Sequence, residues 1–321
     1  MKLHLPNSAF LGNIDPFLRS IDNSDPSNLE ITANNKWISI HPVVLSMIAS
    51  LGVEVGKKNI EPMELEARST HYLQRMGLFG LLDIPEEKNI IEHDPSGRFV
   101  PITNIKDSDE LTHFISEMAP LLHLNPEHAR IIRYIISELV RNVIEHSSSD
   151  LGAFVCAQYY KKSNTVRIGI ADRGVGIRET ISKSHMAPSD LSAIRLALMP
   201  GITGMTRREG GTDTNAGAGL FFIKSIAGIN RDFMMLYSGN AMFKLLRSDP
   251  NRKRLVLKAD PFKERHSSGE DYPYWKGTAV GIDISLDAKR EFTELLDLIR
   301  KTYVKTIKER KKKRYRRPRF I

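Results

Sequence analysis

The stretch from Thr165 to Ile177 constrains the fold more than any other. An apolar strand-type run, Thr165–Ala171, passes directly into Asp172-Arg173-Gly174-Val175-Gly176-Ile177. Glycines leaving a strand let the backbone come close to a ligand, and a carboxylate at the strand end can accept from an amino group. A β-turn with Asp at its first position is the other reading of the same residues. Helix-period and strand-period segments surround this run. Helices are predicted over 108–122 and Pro126–His146, and a strand over 152–160 is separated from Thr165 by the polar turn Lys161-Lys162-Ser163-Asn164. Residues 184–216, rich in Gly, Thr, Arg and Asp, read as a loop with a helical insert at 191–198. A helix opened by glycines follows over 217–229, then strands over 232–238, 241–246, 254–258 and 278–285, and a last helix over 287–303.

Residues 1–80 carry a smaller α/β pattern. Strands are predicted at 3–5, 29–32 and 37–40, and His41-Pro42 opens an apolar helix through Leu51, with Pro at the first turn. A second helix over 63–76 stops at Gly77. Residues 81–109 are polar, contain Pro85, Pro95 and Pro101, and read as a connector at the domain boundary. With 321 residues, 41% of them hydrophobic and 26% charged, the chain can bury a sizeable core in two domains. No apolar run nears the roughly 20 residues needed to span a bilayer, and the start lacks the apolar stretch of a signal peptide, so a cytoplasmic protein without membrane association is expected. The single cysteine, Cys156, excludes an internal disulfide and a Cys-based zinc site; its apolar neighbours mark it as a small core residue.

Charge is unevenly distributed. Residues 300–321 hold twelve Lys and Arg against one acid, Glu309, whereas the other 299 residues carry 35 basic and 37 acidic groups. Basicity is therefore a property of the tail. Such a run can bind phosphate backbones by counterion release, bind an acidic partner surface, or simply extend a solvated C-terminal helix.

Two further constellations flank the Asp172 motif. Glu138, Asn142 and His146 follow one another at intervals of four on the predicted helix, which puts them on one face beside Leu139, Val140, Val143 and Ile144. A carboxylate and a carboxamide so placed can serve as proton acceptor and Mg²⁺ oxygen ligand; an ordinary polar helix face is the plainer reading. Gly217-Ala218-Gly219-Leu220 opens the helix continuing through Phe221-Phe222-Ile223-Lys224. A glycine-rich helix start leaves N–H groups and the positive dipole end available to a phosphate, although glycines also open helices for packing alone. Upstream, Gly201-Ile202-Thr203-Gly204 and Gly210-Gly211-Thr212 give residues 177–216 the flexibility of a lid.

In this order the three constellations resemble the GHKL, or Bergerat-fold, ATPases, the superfamily of Hsp90, gyrase B, MutL and the histidine-kinase ATP-binding domains. The resemblance spans about residues 110–300. Glu138 to Asn142 looks like the N-box, Asp172-x-Gly174-x-Gly176 like the first glycine box, Gly217-x-Gly219-Leu220 like the second, and Gly277-Thr278 like the family's Gly-Thr near the end of the sheet. It implies ATP and Mg²⁺ as cofactors, with Asn142 on the metal, Asp172 reading the adenine amino group and Thr278 supporting the adenine. Gly174, Gly176, Ile177, Gly217, Gly219 and Leu220 would border the nucleotide, and Glu138 would be the general base. No Gly-x-x-x-x-Gly-Lys-Ser/Thr occurs, so a P-loop is excluded. Residues 29–40, the helix after them and Tyr72-Leu73-Gln74-Arg75-Met76-Gly77-Leu78 resemble a STAS-like domain. Where a phosphorylatable STAS domain has its acceptor Ser, this chain has Ser39-Ile40-His41-Pro42, which favours a docking or dimerisation surface over a phosphoacceptor, with His41 solvent-facing or capping.

The expected architecture is therefore α+β: a STAS-like docking domain at 1–80, a connector at 81–109, a GHKL sandwich at 110–303 with a mixed sheet and helices on one face, and a basic tail at 304–321. The resemblance implies an ATPase that acts as a nucleotide-driven switch on a regulatory partner protein in a multi-component bacterial system. An anti-sigma-type Ser/Thr kinase and a nucleic-acid-associated ATPase using residues 304–321 are the alternatives, and a homodimer is a further expectation. Tyr272-Pro273-Tyr274-Trp275 reads as a hydrophobic plug against the sheet rather than a partner site.

Overall fold

Strand pairing in residues 99–285 follows the apolar runs of the sequence, and one sheet gathers them all. The computed structural model describes residues 1–34, 39–61, 70–85, 99–122, 124–206, 218–247, 257–287 and 291–314. The chain begins with β1 (Lys2–Leu5), β2 (Ser8–Ala9), α1 (Asp15–Arg19), β3 (Glu30–Ala33), β4 (Ser39–Ile40), α2 (Pro42–Val55), α3 (Thr70–Arg75) and α4 (Leu78–Leu82). It continues through β5 (Phe99–Ile105), α5 (Ser108–Leu121), α6 (Pro126–His146), β6 (Ala153–Tyr160), β7 (Thr165–Ala171), α7 (Gly176–Ser182), α8 (Asp190–Ala197) and α9 (Gly219–Asn230). The last elements are β8 (Met234–Gly239), β9 (Ala241–Leu245), β10 (His266–Gly269), β11 (Trp275–Ser285) and α10 (Phe292–Arg314).

Seven strands form the main sheet in the order β10-β9-β8-β11-β7-β6-β5, and every neighbouring pair is antiparallel. This corrects the expected mixed sheet. Strands β7 and β8 do run in the same direction, but β11 enters between them antiparallel to both, so they never pair. The expected connector also differs: its last part is β5, the edge strand on β6. Pro101 sits in it without cost because an edge strand leaves one row of N–H groups unpaired. The expected strand at 254–258 falls mostly outside the described residues, as does the first half of the expected helix at 63–76, whose second half is α3.

Helices cover both faces, not one. On the first face Ile132, Ile135, Ile136, Leu139, Phe221 and Ile226 pack against Val155, Ile168, Ile170, Leu236, Val280 and Ile282. On the second face lies α2, which packs on β6, β7 and β11. It is buried all round from Pro42 to Gly52, where the hydroxyls of Ser46 and Ser50 bond to the Gly169 and Met47 carbonyls, and its one carboxylate, Glu54, lies beyond the buried stretch. Its backbone lies so close to the sheet that a Cβ on Gly169 would be 2.1 Å from the Val43 nitrogen. Val44, Met47 and Ile48 share one core with Phe154, Cys156, Met235, Tyr237 and Trp275, and each such fully buried side chain contributes roughly 1.5–3 kcal/mol. Residues from the N-terminal part and from the sheet thus bury each other. The N-terminal strands pair only among themselves, β1 with β3 and β2 with β4, both in parallel.

His41 caps α2. Its Nδ1 accepts from the Val43 N–H at 3.0 Å, so its proton sits on Nε2, 3.3 Å from Asp283 Oδ1. The ring is fully buried, and burial lowers its pKa and keeps it neutral. The capping reading of His41 holds and the solvent-facing one does not. Trp275 and Tyr272 are buried while Tyr274 is exposed, in line with the plug reading for two of the three aromatics.

Candidate functional site

The separate constellations of the sequence meet at one cavity of about 370 Å³, within the range of small-molecule sites. Its walls are α6, the start of α9, the turn from β7 into α7 and the loop after α8; its floor is Ile170, Leu236 and Val280 of the sheet. Glu138, Asn142, Asp172, Gly176, Ile177, Gly219, Leu220 and Thr278 all line it. Gly174 does not: it packs against the end of α6, where a Cβ would be 2.1 Å from the Ser147 carbonyl oxygen. Gly217 lies outside the described residues.

Asp172 ends β7 and is only 2% exposed. Its Oδ1 accepts from the Gly174 N–H at 2.7 Å, and its own N–H donates to the Thr278 carbonyl at 2.9 Å. Burial pushes its carboxyl up to about 6 against the opposing Gly174 and Thr278 hydrogen bonds. Gly176 and Gly277 adopt φ of +80° and +90°, a region that side-chain-bearing residues avoid. Ser238 ties the two turns together, donating to the Gly277 carbonyl at 2.7 Å and accepting from the Ile177 N–H at 3.0 Å. The result is a rigid cradle with a buried carboxylate at its base.

Glu138 and Asn142 come from one face of α6, whose start is set by Asn125, the side chain of which accepts from the His128 N–H at 2.9 Å. The start of α9 lies directly on this pair: a Cβ on Gly219 would be 2.5 Å from Glu138 Oε2 and 3.9 Å from Asn142 Nδ2. The first residue before α9, Ala218, offers no side-chain acceptor to the helix N–H groups. Burial raises the Glu138 pKa, Arg141 opposes this and Glu145 adds to it. Asn142 Nδ2 is buried without a hydrogen-bond partner among the described residues. An uncommitted amide on the wall of a cavity can bond to a ligand or to ordered water there, and either of its ends can turn toward one.

Residues outside the three motifs complete the site. Arg141 and Tyr134 line it from α6, Thr203 and Gly204 from the opposite rim. That rim is pinned to the end of α7, since Ser184 donates to the Gly204 carbonyl at 2.7 Å and His185 Nε2 lies 3.0 Å from the Thr203 carbonyl. The described part of the expected lid is thus two short helices and an anchored loop. Behind the site, Glu54 of α2 accepts from Arg173 Nε at 2.6 Å and from Lys276 Nζ at 2.8 Å. The Arg173 guanidinium also stacks over Trp275, 4.6 Å from the ring centroid. One carboxylate therefore holds the residues beside Asp172 and beside Gly277. The helix expected from the sequence stops at Leu51, short of Glu54, and nothing local pointed to a partner more than a hundred residues away.

A cation at this site would take few protein ligands: no group of three His, Cys, Asp or Glu able to hold a metal occurs among the described residues. Asn142 alone suits an Mg²⁺ that is held mainly by substrate phosphates and water. Compared with protein-family models and with curated proteins, the chain matches none. No helix among the described residues is long and apolar enough to cross a membrane.

Proposed function

We propose that the chain is a GHKL-type, Mg²⁺-dependent ATPase whose nucleotide state sets how it engages a regulatory partner protein. The observation that carries this reading is the convergence of Glu138, Asn142, Asp172, Gly176, Ile177, Gly219, Leu220 and Thr278 on one cavity, with the Asn142 amide buried there and, among the described residues, unpartnered. In this reading the Asp172 carboxylate accepts from the adenine amino group at the closed end of the cradle, and Thr278 supports the base. The N-terminal end of α9 faces the phosphates, where free N–H groups and the helix dipole favour anions. Bound Mg²⁺, held by Asn142 and the phosphates, supplies neutralisation of phosphate charge.

Glu138 is the base. Its carboxylate takes the proton of a water as that oxygen forms its bond to the γ-phosphorus, and the bond from that phosphorus to the bridging oxygen breaks to leave ADP and inorganic phosphate. Burial brings its pKa toward neutrality, which suits a group that must accept and then release a proton. Residues 1–80 are the STAS-like docking part in this reading, and the Glu54 contacts connect it to the nucleotide cradle.

ATP binding and phosphate release with Mg²⁺ test the proposal. Asp172→Asn is expected to lose binding, and Glu138→Gln to keep binding while phosphate release falls about 10²- to 10⁴-fold. Binding without release in the unaltered protein, together with phosphate transfer to a protein Ser or Thr, would replace hydrolysis by a kinase reading. Failure to bind ATP at all would end the nucleotide reading.

A further inference from the structure

Residues 304–314 of the basic tail belong to a helix. Helix α10 runs 23 residues, Phe292–Arg314, which makes it about 34 Å long. One face of it is docked: Leu295, Ile299 and Ile307 are buried, Tyr303 packs on Phe221 and Phe222, and Arg310 donates to the Pro200 carbonyl at 2.7 Å. The opposite face carries Lys301, Lys305, Lys308 and Lys312, spaced by four, three and four, so their side chains form a single stripe along the helix. All four are exposed, and none has an ion-pair partner among the described residues. Asp297 and Glu309 flank the stripe, and Asp297 is engaged by Arg300 at 3.7 Å.

We propose that this face of α10 binds the phosphate backbone of double-stranded DNA without sequence preference. A row of uncompensated lysines on a rigid helix matches a regular row of phosphates, and release of condensed counterions supplies the driving force. The charge is local to residues 300–321, most of which this helix contains, because the other 299 residues carry slightly more acid than base. A membrane surface is a poorer fit, since the apolar stripe that would enter lipid is the docked one. A single strand is a poorer fit as well: the described basic face presents no aromatic ring for bases to stack on, Tyr303 being turned inward. Duplex RNA offers a helix only a deep, narrow major groove, whereas the wider groove of B-DNA admits one. This inference stands apart from the nucleotide reading, for no residue of the stripe lines the cavity.

The test uses the full chain and a fluorescein-labelled duplex DNA of about 20 base pairs, two turns of B-DNA, followed by anisotropy across a salt series. Four neutralised phosphates give a slope of about −3.6 in log K against log salt, so affinity falls about 150-fold or more between roughly 50 and 200 mM salt. Replacing Lys301, Lys305, Lys308 and Lys312 together by Gln is expected to make the slope shallower by about 3.6, and replacing them by Arg to leave it unchanged. Thermal unfolding of both variants reports whether the fold is intact. Several results overturn the proposal: no salt-dependent binding by the unaltered protein, an unchanged slope in the Gln variant, or loss of binding in the Arg variant. Displacement of the DNA by poly-glutamate or by anionic lipid vesicles at lower charge concentration than by unlabelled duplex also overturns it, by making the partner an acidic protein or a membrane.

Discussion

Removing the Glu54 carboxylate is the sharpest test of how the N-terminal part holds the site. Glu54 is 23% exposed at its side chain, Arg173 only 7% and Lys276 55%. A hydrogen bond to a charged group is worth about 1.5–3 kcal/mol, and stripping the partner from a fully buried ion costs about 3–5 kcal/mol. The pair here lies between these cases, because water reaches Glu54 but barely reaches Arg173. Glu54→Ala is therefore expected to lower stability by about 2–3 kcal/mol. Lys276→Ala should cost under about 1 kcal/mol, the ordinary value for an exposed pair. A double-mutant cycle on Glu54 and Arg173, read from urea midpoints at neutral pH, should give a coupling of about 1.5–2 kcal/mol. The pH dependence gives a second reading. Burial pulls the Glu54 pKa upward, but the Lys276 hydrogen bond and the Arg173 charge outweigh it and hold the carboxyl below its ordinary 4.5. Stability from this group is thus fully present above that ordinary value and is lost as pH falls through the depressed one. A coupling below about 0.5 kcal/mol, or a Lys276→Ala cost equal to that of Glu54→Ala, would refute the reasoning.

Three further outcomes follow from single residues. Gly277→Ala places a Cβ 2.2 Å from the Asp172 carbonyl oxygen at a φ of +90°; a loss of about 3 kcal/mol or more is expected in urea unfolding, with nucleotide affinity falling alongside. Asp232 is buried and its carboxyl is pushed up to about 7 from 3.8, so this group makes stability fall as pH rises from about 4 to about 7 and adds no slope above that. Asp232→Asn, which keeps an oxygen for the Ser285 N–H, should remove that slope, worth on the order of 4 kcal/mol, in thermal unfolding across that range. Cys156 is fully buried, its Sγ donates to the Pro42 carbonyl at 3.2 Å, and burial pushes its thiol up to about 12. It should react with a thiol reagent only at the rate of unfolding, and rapid labelling of the folded protein would contradict the packing of α2 on β6.

Local signals carried the helices and strands of the second part. Asn125-Pro126 supplies both the cap and the first-turn proline of α6, so that helix spans its predicted Pro126–His146. Thr165–Ala171 is likewise bounded by a polar turn and by Asp172. The site residues were legible because each constellation is short and its spacing is local. Their convergence is not local, and neither are the groups that join them: Ser238 bridges turns at 177 and 277, and Glu54 reaches Arg173. Strand β10 was missed because His266-Ser267-Ser268-Gly269 has no apolar alternation; an edge strand needs only its backbone pairing with β9.

The expectation of helices on one face failed against a signal the sequence did contain. In a sheet with one wet face, side chains alternate between apolar and polar. Here β6 begins Ala-Phe-Val-Cys-Ala, β8 begins Met-Met-Leu-Tyr, and β9 begins Ala-Met-Phe, and every one of these residues is buried. Val155, Leu236 and Phe243 point to the helices of the first face, but Phe154, Cys156, Met235 and Tyr237 point the other way and belong to the core that α2 completes. Without α2 those side chains would form an apolar patch on the back of the sheet, under the strands that carry Asp172 and Thr278. The helix over 42–52 has no solvent-facing polar side and neither do the starts of β6, β8 and β9, so each buries apolar surface that the other would leave open. The described residues between 1 and 55 are in this sense part of the sheet's own packing, and they meet the elements that carry the cradle at Gly169, Glu54 and Trp275.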